Sequence, residues 1–235
     1  MIPITKKAEP DGLAELRQQA IERGLSPEEA YDTLCNPLKE HVRSSLVEEQ
    51  GGLCAYCMCK IPRSDAGDQP PINIEHLISR NPVSGMNVGQ GLDYNNFFAV
   101  CHGNRGRKGT RKKRDLTCDA HRGNTELRKV NPLDPTTLAS IYYNLQGKIY
   151  ATDPDAQFDL DHTLNLNCPS APQPAERKAV LEALLNDLNN IPQEILENYC
   201  TQVLSNFLSE SNPKTPYVGI LIWYLQSLLA ALHGT

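Results

Sequence analysis

The spacing of apolar residues changes along the chain and predicts helical flanks around an irregular centre. In the last third, apolar side chains recur every three or four positions, the period of one helix face, within 175–188, 192–210 and 216–232. The first fifty residues also predict helices, since Ser26-Pro27-Glu28-Glu29 has the residue types of a capping box with proline in the first turn. Both ends of the chain are therefore expected to be helical.

The central part of the chain has a different pattern of apolar residues. From Gly51 to about Pro135 the apolar runs are short and broken by Gly, Pro and Asn, which favours a small metal-stapled fold over a helical bundle. Aromatic and β-branched residues on both sides of a turn in 141–150 predict a β-hairpin. The predicted class is α+β, with a helical segment over 1–50, a chemical module over 51–135, and a hairpin plus helical layer over 136–235 that packs on the module.

Composition is that of an ordinary globular protein, with 40% hydrophobic and 22% charged residues. The longest apolar run, near 220–232, is interrupted by Gln226 and Ser227, so no membrane span is expected. The first residues lack the apolar core and cleavage site of a signal peptide, which predicts a cytoplasmic protein.

The charge is unevenly distributed. The formal net charge of −5 argues against a protein that coats nucleic acid, yet residues 101–130 contain ten Lys or Arg against three Asp or Glu. The sequence therefore predicts an acidic body with one basic arm.

Eight cysteines in a reducing compartment indicate metal binding more than disulfides, because five of them cluster in the central third. Cys54-Ala55-Tyr56-Cys57 is a Cys-x-x-Cys knuckle, which can give two thiolates to one tetrahedral zinc, and Cys101 and Cys118 are the preferred remaining ligands. Three residues stay open as substitutes for any one of these ligands: Cys59, His102 and His121. The other cysteines are expected to be small buried residues: Cys35, Cys168 and Cys200.

An acid–histidine pair lies between the two halves of this cluster. The strand-like stretch 72–80 contains Glu75-His76, nineteen residues after Cys57, and Asn96 stands five residues before Cys101. A lone Glu-His pair carries little information, whereas this order of knuckle, pair, Asn and cysteine is specific.

These motifs resemble the HNH endonucleases, whose ββα-metal core (the His-Me finger) holds one catalytic divalent ion. More narrowly, the chain resembles the retron and Septu anti-phage HNH proteins called PtuB, over roughly residues 45–190. The motifs that carry this resemblance are Cys54-Ala55-Tyr56-Cys57, Ile74-Glu75-His76, Asn95-Asn96, Cys101-His102-Gly103-Asn104, Cys118-Asp119, Gly123-Asn124 and Leu164-Asn165-Leu166-Asn167. The resemblance implies a ββα-metal core with a zinc knuckle, embedded in helical flanks.

The resemblance also implies roles for individual residues. His76 is expected to be the general base, which its ordinary pKa of about 6.5 would permit at neutral pH. Glu75 is assigned to the catalytic ion, although strand alternation would point it away from His76. Asp119 is the expected second ligand because Mg2+ prefers carboxylate oxygens, and His121 is the rival that Mn2+ or Ni2+ would accept. Asn96 is expected to fix the loop and orient His76, with Asn95 as its near twin.

The chain departs from the simplest HNH pattern where sixteen residues separate Cys101 from Cys118. This insertion is basic, and its cations are expected to contact backbone phosphates without reading sequence. They are Arg105, Arg107, Lys108, Arg111, Lys112, Lys113 and Arg114.

The resulting hypothesis is a metal-dependent HNH endonuclease that hydrolyses phosphodiester bonds in DNA or RNA with structural Zn2+ and catalytic Mg2+. The resemblance implies an anti-phage effector that works with PtuA, an ABC-type ATPase, and through that complex with retron RNA or msDNA. The helical flanks are the expected docking surface for this partner. The alternative is a zinc-ribbon binding or assembly module without hydrolytic activity, and substitution of His76 discriminates the two.

Overall fold

A computed structural model describes residues 1–61, 72–86, 88–106 and 112–234 of the chain. The fold is α+β and mostly helical, with two small antiparallel sheets in these ranges. The predicted class is therefore confirmed at this level.

Three helices form the N-terminal part, and the capping box predicted there is present. The Ser26 backbone N–H donates to the Glu29 carboxylate at 2.8 Å, and the Glu29 N–H donates to the Ser26 hydroxyl. This reciprocal cap fixes the start of the second helix and thereby the position of Tyr31 one turn later. The helices are α1 (Leu13–Glu22), α2 (Pro27–Asp32) and α3 (Leu38–Glu49).

The central sheet pairs β1 (Asn73–His76) with β2 (Phe97–Val100) in an antiparallel register that sets His76 opposite Phe97. The short helix α4 (Cys118–Arg122) follows later in the chain. The Cys-x-x-Cys turn is closed by a bridge between Leu53 and Lys60, and it docks on β2 through a hydrogen bond from Ala55 N–H to the Ala99 carbonyl. The knuckle and the acid–histidine strand therefore belong to one unit.

The C-terminal part contains the predicted hairpin, with β3 (Ile141–Tyr143) antiparallel to β4 (Ile149–Ala151). Its long helices match the apolar periodicity in the sequence to within about a turn. The helices of this part are α5 (Pro135–Leu138), α6 (Pro154–Phe158), α7 (Gln173–Leu188), α8 (Gln193–Ser209) and α9 (Val218–Leu232), and a π-helical stretch over Asp159–Thr163 follows α6.

One hydrophobic cluster draws on all three segments, as shown by Leu46 from α3, Phe98 from β2 and Ile220 from α9. The central unit is thus packed between the helical flanks. In the described ranges, none of the helices combines the length and the apolar character that crossing a membrane requires.

Candidate functional site

Four cysteine sulfurs converge beside the central sheet. The sulfur atoms of Cys54, Cys57, Cys101 and Cys118 all lie within 4.8 Å of one another. Neighbouring pairs are separated by 3.7 Å (Cys101 to Cys118) and 3.8 Å (Cys57 to Cys101). Since a tetrahedral zinc with Zn–S bonds of about 2.3 Å separates its sulfurs by about 3.8 Å, this cluster could hold a structural zinc ion.

The other candidate ligands stand outside this four-sulfur set. Cys59 is half-buried. It does not belong to the group of cysteines that could hold a metal among the described residues. Of the cysteines expected to be buried, Cys168 and Cys200 are buried. Cys35 is exposed, so that expectation was wrong; the residue lies in the loop between α2 and α3, outside the apolar faces of both helices.

The basic insertion does not keep the third and fourth cysteines apart, because its two ends pair with each other. The Thr117 N–H donates to the Gly103 carbonyl at 3.1 Å, and the Asn104 amide donates to the Asp115 carbonyl at 3.0 Å. Gly103 has φ +53°, and a Cβ there would lie 2.1 Å from the Thr117 oxygen. Only glycine permits this approach, which brings Cys118 back to Cys101.

A polar cleft of about 370 Å³ opens beside the cysteine cluster, and the acid–histidine pair lies on its lining. Glu75 and His76 are consecutive residues of β1, yet both line this one cleft together with Asn73 and Ile74, so the expectation that Glu75 points away from His76 does not hold here. Asp119, the residue after the last cysteine, lines it as well. The structure therefore brings Asp119 to the adjacent residues Glu75 and His76, which lie more than forty positions earlier in the sequence.

Glu75 is buried and ion-paired with Arg122 from α4. The Tyr56 hydroxyl, from the middle of the cysteine knuckle, donates to the same carboxylate oxygen, Oε1, at 3.1 Å. The other carboxylate oxygen of Glu75, Oε2, takes part in neither of these contacts. Burial raises the pKa of Glu75 to about 8, and the neighbouring Asp119 carboxyl adds to the rise while Arg122 opposes it.

Glu75 and Asp119 fit a divalent cation, because they offer hard oxygen ligands side by side. The Asn73 amide donates to Asp119 Oδ2 at 3.4 Å and steadies it. His121 is elsewhere: its Nδ1 lies 3.0 Å from the Thr163 carbonyl, and the residue is not part of the described cleft lining. Of the two rival ligands, only Asp119 reaches the cleft.

His76 is held by its ring edges and by one hydrogen bond. Its imidazole makes edge-to-face contacts with Tyr31 and Phe97, each with ring centroids 4.8 Å apart. Nε2 lies 3.1 Å from the Gly91 carbonyl, which can only accept, so Nε2 carries the proton and Nδ1 the lone pair. Burial lowers the pKa of His76 to about 4, and Arg80 and Arg122 add to the shift, so the ordinary pKa of about 6.5 expected from the sequence was wrong. The ring is neutral at pH 7.

Asn96 clamps the backbone just beyond the histidine. Its Oδ1 accepts the Ile78 N–H at 2.8 Å, and its Nδ2 donates to the Ile78 carbonyl at 2.9 Å. Asn96 is buried and does not line the cleft, whereas its twin Asn95 is exposed at the surface. The two asparagines thus have different environments despite their adjacency.

The basic residues of the insertion divide into three groups. Arg105 lines the cleft. Lys112, Lys113 and Arg114 are exposed and do not line it. Three further residues with predicted phosphate contacts lie outside the described residues: Arg107, Lys108 and Arg111.

Sequence reasoning missed several residues that build the site. Arg122 is 1% exposed and donates to the carbonyls of His76 and Leu77 as well as to Glu75. Tyr31 and the cations Lys39, Arg43 and Arg80 line the cleft from outside the catalytic motifs. Nothing in their local pattern identifies them, because their proximity to His76 depends on how α2 and α3 pack.

Comparison of the chain with known family models and with curated proteins finds no match. The function of the site must therefore be inferred from its chemistry.

Proposed function

We propose that the protein is a metal-dependent HNH endonuclease that hydrolyses phosphodiester bonds in DNA or RNA. The observation that carries this proposal is the cleft in which His76 lies beside the paired carboxyls Glu75 and Asp119. Phosphodiester hydrolysis needs a base that activates water and a cation that neutralises the phosphate. A neutral imidazole next to a divalent-cation site would supply both. The order of the motifs along the chain, which resembles the HNH family, points to the same reaction.

In this proposal His76 takes a proton from a water molecule at Nδ1. The Gly91 carbonyl fixes the Nε2 proton, so the lone pair stays on Nδ1. Tyr31 and Phe97 hold the ring plane. The water oxygen attacks phosphorus, one P–O ester bond breaks, and the departing oxygen receives a proton from solvent.

Glu75 and Asp119 would hold the divalent ion, Mg2+ or Mn2+, which supplies charge neutralisation to the phosphate when bound. Arg122 and Tyr56 keep the Glu75 carboxylate in place through Oε1. Since Tyr56 lies between two zinc ligands, the cysteine cluster supports the carboxylate directly. The proposed role of zinc is therefore structural: it fixes the position of Tyr56 and, through it, of the Glu75 carboxylate.

The test is cleavage of plasmid, single-stranded DNA and total tRNA by the purified protein in Mg2+ or Mn2+. We expect His76→Ala to abolish cleavage while its zinc content stays that of the wild type. His233→Ala is the matched control, because His233 is an exposed histidine at the end of α9. Cleavage that persists in His76→Ala, or is lost equally in His233→Ala, would contradict the catalytic role.

The biological setting is proposed from the resemblance to PtuB. The protein would be the effector nuclease of an anti-phage system, held in check by a PtuA-type ABC ATPase. Co-expression with an ATPase encoded beside it, followed by affinity purification, tests this partnership. Failure to co-purify would contradict the partner while leaving the nuclease assignment intact.

A further inference from the structure

One side of the cleft is lined by cations that do not belong to the catalytic motifs. Lys39 and Arg43 lie four residues apart on α3, which places them on one face of that helix. Arg80 follows β1 and lines the same cleft. These three residues are called the basic wall below.

Tyr31 joins the basic wall to the catalytic histidine. The Arg80 guanidinium lies 4.2 Å and the Lys39 ammonium 5.0 Å from the centroid of the Tyr31 ring. The same ring contacts His76 edge to face at 4.8 Å. A cation–π contact orients a positive charge without neutralising it. The charges of Lys39 and Arg80 therefore remain available to an anion bound near His76.

The acidic residues Glu28, Glu75 and Asp119 line the same cleft, but they compensate the charges of the basic wall only in part. Within the described part of the chain, neither Lys39 nor Arg80 forms a salt bridge. Arg43 is paired with Glu40, but its Nε is buried and has no hydrogen-bond partner. Like charges gathered on one surface repel each other, and a bound anion would offset that repulsion.

We propose that Lys39, Arg43 and Arg80 bind the nucleic-acid backbone at phosphates adjacent to the bond that is cut. This inference rests on the proposed function for the location of the scissile bond. Arg105 lines the same cleft and extends the positive surface toward the insertion. The N-terminal helices are thus a substrate-binding element, which differs from the expectation that the flank serves to dock a protein partner.

The experiment measures binding without cleavage. His76→Ala protein, in buffer without added Mg2+ or Mn2+, is titrated against a fluorescein-labelled single-stranded oligodeoxynucleotide and its RNA counterpart, and anisotropy is followed over a series of KCl concentrations. Adding Lys39→Gln and Arg80→Gln should weaken binding of both probes. Each lost phosphate contact should reduce the slope of log K against log salt by about 0.7 for a single strand.

Matched controls separate the basic wall from general charge effects. Lys178→Gln removes an exposed cation from α7, away from the cleft, and should leave the slope unchanged. Lys39→Arg keeps the charge and should retain the slope. Unchanged zinc content and thermal unfolding verify that each variant is folded, and Lys39→Gln alone carries the test if the double variant is unstable.

An unchanged salt slope in folded Lys39→Gln protein overturns the proposal. It is overturned equally if the slope falls only in Lys112→Gln, Lys113→Gln protein, because the insertion alone would then contact phosphates. Failure of the proposed function looks different: wild-type protein would bind through the basic wall and yet cleave none of the offered nucleic acids in any divalent metal.

Discussion

Arg122 and Glu75 form an ion pair that is almost entirely removed from solvent, with side chains 1% and 8% exposed. Arg122 also donates to the Tyr56 hydroxyl and, through Nε, to the Thr125 carbonyl. One guanidinium thus connects α4, the end of β1 and the cysteine knuckle. Its position explains how a carboxylate can be held beside His76 at such low exposure.

Replacing Arg122 with Met should destabilise the protein by about 3–5 kcal/mol, because Glu75 loses its buried partner. The loss also leaves three backbone carbonyls without their side-chain donor: those of His76, Leu77 and Thr125. The free energy of unfolding from urea titration in the presence of zinc is the measurement. Lys178→Met is the control, since it breaks an exposed pair on α7 and should cost less than about 1 kcal/mol.

Removing both partners tests the cause of this loss. Arg122→Met with Glu75→Gln should be less destabilised than the two single variants predict by addition, since the interaction between residues 75 and 122 can be lost only once. Strict additivity of the two losses would show that the ion pair is not what stabilises this part of the fold.

Zinc content should depend on four cysteines and not on the fifth. Cys54→Ser and Cys118→Ser should each lose zinc and stability together, because thiolate binding contributes folding free energy in small sites. Cys59→Ser should keep zinc at the wild-type level, as should the exposed control Cys35→Ser. Elemental analysis of the purified variants measures the zinc content. Loss of zinc in Cys59→Ser with retention in Cys118→Ser would show that Cys59, and not Cys118, is the fourth ligand.

The parts of this site that sequence could predict are local ones. A spacing of two residues suffices to bring the sulfurs of Cys54 and Cys57 into one cluster, and apolar periodicity suffices to predict the long C-terminal helices. The approach of Tyr31 to His76 depends instead on tertiary packing between α2 and the end of β1, and no local pattern records it.

Strand alternation also gave an incomplete expectation for Glu75. Alternation predicts that Glu75 points away from His76, whereas all four residues of β1, Asn73–His76, line the same cleft. The placement of Asp119 and His121 likewise required the structure, because both lie on α4. Asp119 lines the cleft, whereas His121 Nδ1 lies 3.0 Å from the Thr163 carbonyl.

The adjacent residues Asn95 and Asn96 are of the same type but differ in environment, so their alanine variants test whether the hydrogen bonds of Asn96 matter. Asn96→Ala removes both side-chain hydrogen bonds to Ile78 and should cost about 1–3 kcal/mol together with a marked loss of cleavage, since the backbone after His76 loses its clamp. Asn95→Ala changes an exposed side chain and should leave stability within about 0.5 kcal/mol of the wild type. Equal effects of the two variants on unfolding and on cleavage rate would refute the clamp.

Gly103 should be indispensable for the zinc site although it binds no metal. Gly103→Ala places a Cβ 2.1 Å from the Thr117 carbonyl oxygen, so the two ends of the insertion must separate and carry Cys101 away from Cys118. Gly106→Ala is the matched control: it has φ +75° with nothing within 4 Å of its Cβ, and it should show only the left-handed strain of about 1–2 kcal/mol. Competition with a chromophoric zinc chelator should therefore reveal weakened zinc affinity in Gly103→Ala and wild-type affinity in Gly106→Ala. If the two variants hold zinc equally well, the close approach of residues 103 and 117 is not what unites the two halves of the cysteine cluster.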